Sequence, residues 1–274
     1  GFATVLAGAT GCRLELVGRT APPGTVEDPR TATAVDELSL RKAVIGLGVH
    51  APRDVEREVR RILAEREIRT TLDDVVRHGA SVRYHQADVL DAGALRKVVE
   101  QVVTDHGRLD GVVHAAGVIE DRLLAEKDEA SFRRVFGTKV DGARALFAVL
   151  DDLGVRPRFV TLFGSIAGVA GNRGQSDYAA ANDALETLGG AWATRSGVRT
   201  LTVHWGPWAP SERHRGMVGP GVQQDFARRG IELIDQEEGH LALLRELARG
   251  DRGLRSVIYT ASGWSAPSGK DAVR

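Results

Sequence analysis

Tyr178 lies in the stretch "QSDYAAAN" (Gln175–Asn182), 13 residues after Ser165, which ends the run "RFVTLFGS". A hydroxyl at a strand's carboxyl end and a tyrosine opening the next helix converge on one carbonyl oxygen. That placement suits ketone reduction, in which the phenol gives a proton while hydride arrives from a nicotinamide. A free phenol has a pKa of about 10, so a nearby ammonium is needed to stabilise the phenolate left behind. Asn182, four residues on, shares Tyr178's helical face but carries no charge. The best lysine candidate is Lys139 in "VFGTKVDGA", 39 residues upstream of Tyr178 on a long helix. Taken singly, these four residues equally describe a surface lysine, a turn serine, a packing tyrosine and a helix-surface asparagine. Their joint placement after successive strands is what makes them a set.

The elements that must position them alternate. Six β-rich runs, Cys12–Thr20, Ser81–Val89, Leu109–Gly117, Arg158–Ser165, Arg199–Gly206 and Arg255–Ala261, end in turn or polar residues. Between most of them lie stretches of helical period at Asp91–Gly107, Glu129–Gly154 and Asp177–Gly197. The pattern predicts an α/β fold, a Rossmann-like, doubly wound parallel sheet with helices on both faces. Ligands of such sheets sit outside the carboxyl ends of the strands. Residues 22–80 interrupt the alternation with two charged helical stretches, the second opened by Pro52 and closed by Gly79. They read as a solvated helical insertion after the fold's second strand. The first strand and its glycine-rich loop are absent from these 274 residues, because Gly1 leads straight into "FATVLAGATG". The chain is therefore expected to start mid-fold, with Gly1 a candidate for the last glycine of that loop. A single domain is expected over 1–262, followed by a linker at 263–274.

At the strand ends, "VGRT" places Arg19 where NAD-preferring folds carry an acid for the ribose 2′-hydroxyl. A guanidinium there suits a 2′-phosphate, which favours NADPH. Asp88 and Val89 end another strand in a position to flank an adenine. Ala115, Ala116 and Gly117 in "HAAG" are small enough to let a cofactor approach the backbone.

Bulk composition removes other classes. Lys plus Arg and Asp plus Glu number 37 each, so no net field points to nucleic acid or a membrane surface. Cys12 is the only cysteine, which excludes an internal disulfide or a thiolate zinc site, and the histidines show no metal-ligand spacing. No apolar run reaches the length of a membrane span. A cytoplasmic address is expected.

Together, "LELVGRT", "ADV", "VVHAAGV", "TKVDGA", "FGSIAGVAGNRGQSDYAAAND", "HWGPW" and "GMV" make the chain resemble the ketoreductase domain of polyketide synthases, a branch of the short-chain dehydrogenase/reductase superfamily. Most of that superfamily carries Tyr-x-x-x-Lys. The polyketide branch looks as if lysine and asparagine had been exchanged, and Tyr178, Asn182 and Lys139 match the exchanged pattern. "GNRGQSDYAAAND" and "RRGIELIDQEEG" look most like bacterial iterative synthases of the enediyne or polyunsaturated fatty acid type. The resemblance implies Tyr178 as proton donor and Lys139 as the group that depresses its pKa and bonds the nicotinamide ribose. It implies that Ser165 binds the substrate carbonyl and that Asn182 completes a proton relay. Pro207 would join the cofactor site. The substrate implied is a β-ketoacyl thioester on the phosphopantetheine arm of an acyl carrier protein, within a multidomain synthase whose neighbouring domains are further partners.

Domains of this kind that give the D-hydroxyl carry Leu-Asp-Asp after "HAAGV", where this chain has Ile119-Glu120-Asp121. Those giving the L-hydroxyl place a tryptophan before the catalytic tyrosine, and none lies between Ser165 and Tyr178. A D-hydroxyl product is expected, although Glu120 and Asp121 also fit a simple loop cap. A lid is expected from Gly206 to about Gly230, with Met217 and Phe226 facing an acyl chain. An alternative from another class is a non-catalytic reductase-like scaffold kept for its contacts inside a synthase; a reductase of free small ketones is a third.

Overall fold

The computed structural model describes residues 1–24, 26–210, 226–228, 231–250 and 253–261. Each of the six β-rich runs yields a strand: β1 Leu14–Gly18, β2 Val82–Gln86, β3 Gly111–His114, β4 Phe159–Ser165, β5 Arg199–Trp205 and β6 Ser256–Tyr259. All neighbouring pairs are parallel. The strands form two hydrogen-bonded sheets, β1-β2 and β3-β4-β5-β6, where the alternation alone predicts one.

The chain divides into two compact units, Gly1–Ala87 and the residues from Asp88 onward. In the first, α1 (Phe2–Thr10) ends at Gly11, whose φ of 62° is a left-handed cap that glycine adopts at little cost. Ala7 of α1 packs with Val75, Ala80, Leu14 and Val82. The insertion differs from its sequence reading in two ways. A short helix, α2 (Pro29–Ala32), precedes α3 (Glu37–Gly46) and α4 (Pro52–Arg77). Asp28 caps it and Pro29 opens it, a start signal too brief to carry a hydrophobic period. The charged helices also enclose an apolar core of their own, Ala34, Leu40, Val44, Val55, Val59 and Ile62. Arg66 ties the entry to this unit by holding the Glu27 carboxylate and the carbonyls of Thr31 and Ala34.

The second unit contains α5 (Ala92–His106), α6 (Glu129–Asp152), α7 (Ala167–Ala170), α8 (Ser176–Ser196) and α9 (Gln236–Arg249). β5 is buried at every residue, as a strand covered on both faces must be. Leu146, Phe147 and Leu150 of α6 meet Leu185 and Trp192 of α8 over Val160 and Leu162 of β4. Phe147 and Trp192 stack with ring centres 4.4 Å apart, and Trp192 Nε1 donates to the Asp151 carboxylate. These contacts fix the two helices that carry Lys139 and Tyr178. The expected linker at 263–274 and Met217 of the expected lid lie outside the described residues.

Candidate active site

Asp128 caps α6 by accepting from the Ser131 amide, and the buried positions Val135, Val140, Ala143, Phe147 and Leu150 turn one face of the helix inward. Lys139 falls on that face and is only 4% exposed. Its Nζ donates to the Phe163 carbonyl on β4 at 2.7 Å and sits 5.5 Å from the centre of the Tyr178 ring. Burial pulls its pKa down from 10.5 to about 8, because desolvation penalises the charged form. The room for this side chain comes from Gly117: a Cβ there would stand 3.2 Å from Lys139 Cε and 3.4 Å from Nζ. The glycine of "HAAG" therefore makes space for the lysine as well as for whatever lies along the backbone.

Tyr178 is buried in the first turn of α8 in a cluster with Val135 and Ala167, against which Val118 and Ile119 pack. Burial raises the phenol's pKa, while Asn182 and Ser165 act the other way. Asn182 is fully buried, and its Nδ2 donates to the Tyr178 carbonyl at 2.6 Å. Its Oδ1 is buried without a partner among the described residues. Gly168 of α7 permits this fit, since a Cβ there would come within 2.8 Å of Asn182 Cβ. Ser165 ends β4, pairs with Trp205 of β5 and accepts from the Ala167 amide at 3.2 Å. The structure thus brings together all four residues singled out from the sequence.

One residue behind Ser165 escaped the sequence reading. His204 of β5 is buried, its Nδ1 lies 3.1 Å from the Ser165 carbonyl and its Nε2 lies 2.7 Å from the Glu186 carboxylate. Gly164 leaves room for the ring, as a Cβ there would approach Nδ1 to 2.9 Å. The signal was present: Glu186 extends the Tyr178, Asn182 spacing by one more turn of α8.

His114 at the end of β3 donates from Nε2 to the Lys139 carbonyl at 3.0 Å, and burial lowers its pKa to about 4. Ala115 and Gly117 just beyond it are exposed, leaving a strip of uncluttered backbone at the carboxyl end of β3. Val89 packs against Gly142 of α6, and Asp88 caps the turn that follows by accepting from the Leu90 amide. Pro207 follows β5 and its carbonyl accepts from Ile234. In the other unit, Arg19 follows β1, is exposed and makes no ion pair among the described residues.

The Ile119–Asp121 triplet is divided in its use. Ile119 packs against the buried cluster of Val135, Ala167 and Tyr178. The Glu120 carboxylate is held by Arg134 Nε and Nη2, each at 2.8 Å, and by Ser131 Oγ at 2.7 Å. The Arg134 guanidinium brings its pKa down to about 2. Asp121 accepts from Gln175 Nε2 at 3.1 Å. Among the described residues, no cluster of three His, Cys, Asp or Glu side chains is placed to hold a metal ion, and no helix is long and apolar enough to cross a membrane.

Residues 2–210 match the model of the KR domain. The chain is 36% identical over 249 residues to a polyunsaturated fatty acid synthase polypeptide from a Thraustochytrium species, covering 90% of this chain and 8% of that protein. It is 32% identical over 244 residues to erythronolide synthase EryA2 from Saccharopolyspora erythraea, covering 88% and 6%. The chain thus spans less than a tenth of either relative. A ketoreductase domain from the bacillaene assembly line superposes with a TM-score of 0.66 at 25% identity, over 94% of this chain and 51% of that one. A short chain dehydrogenase from Mycobacterium paratuberculosis, bound to NAD, gives the same TM-score at 18% identity over 94% and 90%, which establishes the fold alone.

Proposed function

The chain belongs to the KR domain family, and from that premise we propose that it reduces the 3-keto group of a β-ketoacyl thioester to a 3-hydroxyl. The substrate would hang from the phosphopantetheine arm of an acyl carrier protein inside a multidomain polyketide or polyunsaturated fatty acid synthase. The buried Lys139 ammonium beside the Tyr178 ring carries this reading. Burying a lysine is costly, and here it faces the one phenol that needs a positive charge.

NADPH, when bound, supplies the hydride. The residues present fit such a group: within the second unit the bare backbone of Ala115–Gly117 after β3 suits a flat ring system, Val89 lies against Gly142 of α6, Asp88 caps the turn before it, and Pro207 follows β5. The exposed guanidinium of Arg19 suits the 2′-phosphate. Ser165 Oγ holds the substrate's carbonyl oxygen. The Tyr178 hydroxyl gives that oxygen its proton, and the Lys139 ammonium stabilises the phenolate that remains and bonds the ribose. The unpartnered Asn182 Oδ1 would accept from a relay water that returns a proton to the site. His204 holds the Ser165 carbonyl and so the serine's backbone. Residues 1–262 would act as one domain.

The test is turnover of a β-ketoacyl N-acetylcysteamine thioester by the full-length protein with NADPH and, in parallel, NADH. The reading expects a 3-hydroxyacyl thioester and a higher kcat/KM with NADPH. No hydroxyl product with either cofactor would favour a scaffold without catalysis.

A further inference from the structure

Lys127 and Asp177 form an ion pair at 2.7 Å with side chains only 2% and 1% exposed. Neither residue belongs to the four that carry the chemistry. Lys127 follows a single 3-10 turn, Leu124–Glu126, and its Nζ also donates to the Glu120 carbonyl at 2.8 Å. The other Asp177 oxygen accepts from the Tyr178 amide at 2.8 Å. One continuous polar chain therefore runs from the Glu120 backbone through Lys127 and Asp177 to the Tyr178 backbone. A second tie reinforces it: the Arg122 amide donates to the Gly174 carbonyl at 3.0 Å.

The first turn of a helix leaves its amides without partners, and an acidic side chain there is stabilising even in water. Capping alone does not require a lysine buried behind the aspartate. Withdrawing both charges from water carries a desolvation cost that the pair's own attraction barely offsets. What the lysine adds is a grip on the loop backbone at Glu120, independent of the Glu120 carboxylate that Arg134 already holds.

We propose that the Lys127–Asp177 pair is a positioning device that locks Tyr178 to the Ile119–Asp121 loop and thereby sets which face of the ketone receives hydride. The inference rests on the ketoreductase reading for its substrate, but the mechanical link stands on geometry alone. Lys127 acts through Tyr178.

The test uses the full-length protein and three variants: Lys127→Met, Lys127→Arg and the double Lys127→Met/Asp177→Asn. The double removes both charges, keeps an oxygen for the Tyr178 amide and avoids stranding one buried charge. The enantiomeric ratio of the 3-hydroxyacyl product is read together with kcat and KM. The double is expected to fold, to lose about 10-fold or more in kcat at little change in KM, and to give a product of eroded enantiomeric ratio. Lys127→Arg is expected to recover most of the ratio. A double variant that unfolds, or that folds and keeps the parent's kcat and ratio, overturns the proposal, because the pair then serves the fold alone. Hydrogen exchange separates this from failure of the functional reading. Even in a parent that reduces nothing, peptides covering 118–123 and 176–182 should exchange faster together in the double, and unchanged exchange at 118–123 overturns the link.

Discussion

Lys139 reaches Tyr178 from a different helix, with Nζ 5.5 Å from the centre of the phenol ring while it donates to the Phe163 carbonyl of β4. The lysine beside the tyrosine thus comes from α6, and the i+4 position on α8 is left to a neutral asparagine. In its bond to the Phe163 carbonyl the ammonium is held over the Tyr178 ring.

The lowered pKa of Lys139 makes the rate sensitive to base. Tyr178 is pushed up by burial and stays protonated, so the limb above neutrality belongs to the lysine. As pH rises through about 8 the ammonium is lost, and kcat/KM should fall about tenfold per pH unit beyond it. Lys139→Arg, whose cation persists above about pH 12, should move that fall upward wherever the variant retains measurable turnover. A parent profile flat to about pH 10 would contradict the role given to Lys139.

His114 makes the fold sensitive to acid. Its folded pKa of about 4 lies below the ordinary 6.5, so between these values the unfolded chain binds more protons. The stability this residue confers is complete above about pH 6.5 and is lost as pH falls toward about 4, by up to roughly 3 kcal/mol. Denaturant midpoints at about pH 7.5 and about pH 4.5 measure it. His114→Gln should show a shallower loss than the parent, and an equal loss would place the acid sensitivity elsewhere.

Gly117→Ala tests the space given to the lysine. The new methyl would meet only the flexible end of Lys139, 3.2 Å from Cε, so thermal stability should change little. Displacing the ammonium by a fraction of an ångström should cost about 10-fold in kcat. An unchanged kcat would mean that the lysine's placement is not limiting.

Much of this site was legible because its parts obey local rules. Strand ends, the alanine-rich start of α8 and the long amphipathic α6 are written in short periods, and the Tyr178–Asn182 spacing lies within one turn. Lys139 could be named from sequence only because the strand order brings α6 beside α8. Other features depend on contacts distant in sequence. The apolar core inside the charged insertion is hidden by the arginines and glutamates of α4, whose long side chains dominate its composition while Val55, Val59 and Ile62 do the packing. His204 looked like one polar residue in a strand, and its meaning appears only with Glu186 opposite. The buried Lys127–Asp177 pair spans 50 residues, a separation at which no periodicity carries information.

Stereochemistry gives a separate check. With Ile119 against the cluster that holds Tyr178 and no tryptophan between Ser165 and Tyr178, the product of a short β-ketoacyl thioester should be mainly the D-hydroxyl. Chiral chromatography of the hydrolysed product decides this, and a predominantly L product would refute the reading of the triplet.

The most direct test of the central claim is single-turnover NADPH oxidation by the full-length protein and its Tyr178→Phe variant, at saturating β-ketoacyl thioester. Phenylalanine keeps the packing of the buried ring and removes only the hydroxyl. The account predicts a loss of about 10²–10⁴-fold in the rate of the chemical step, with thermal stability retained. Equal rates in the two proteins would contradict it.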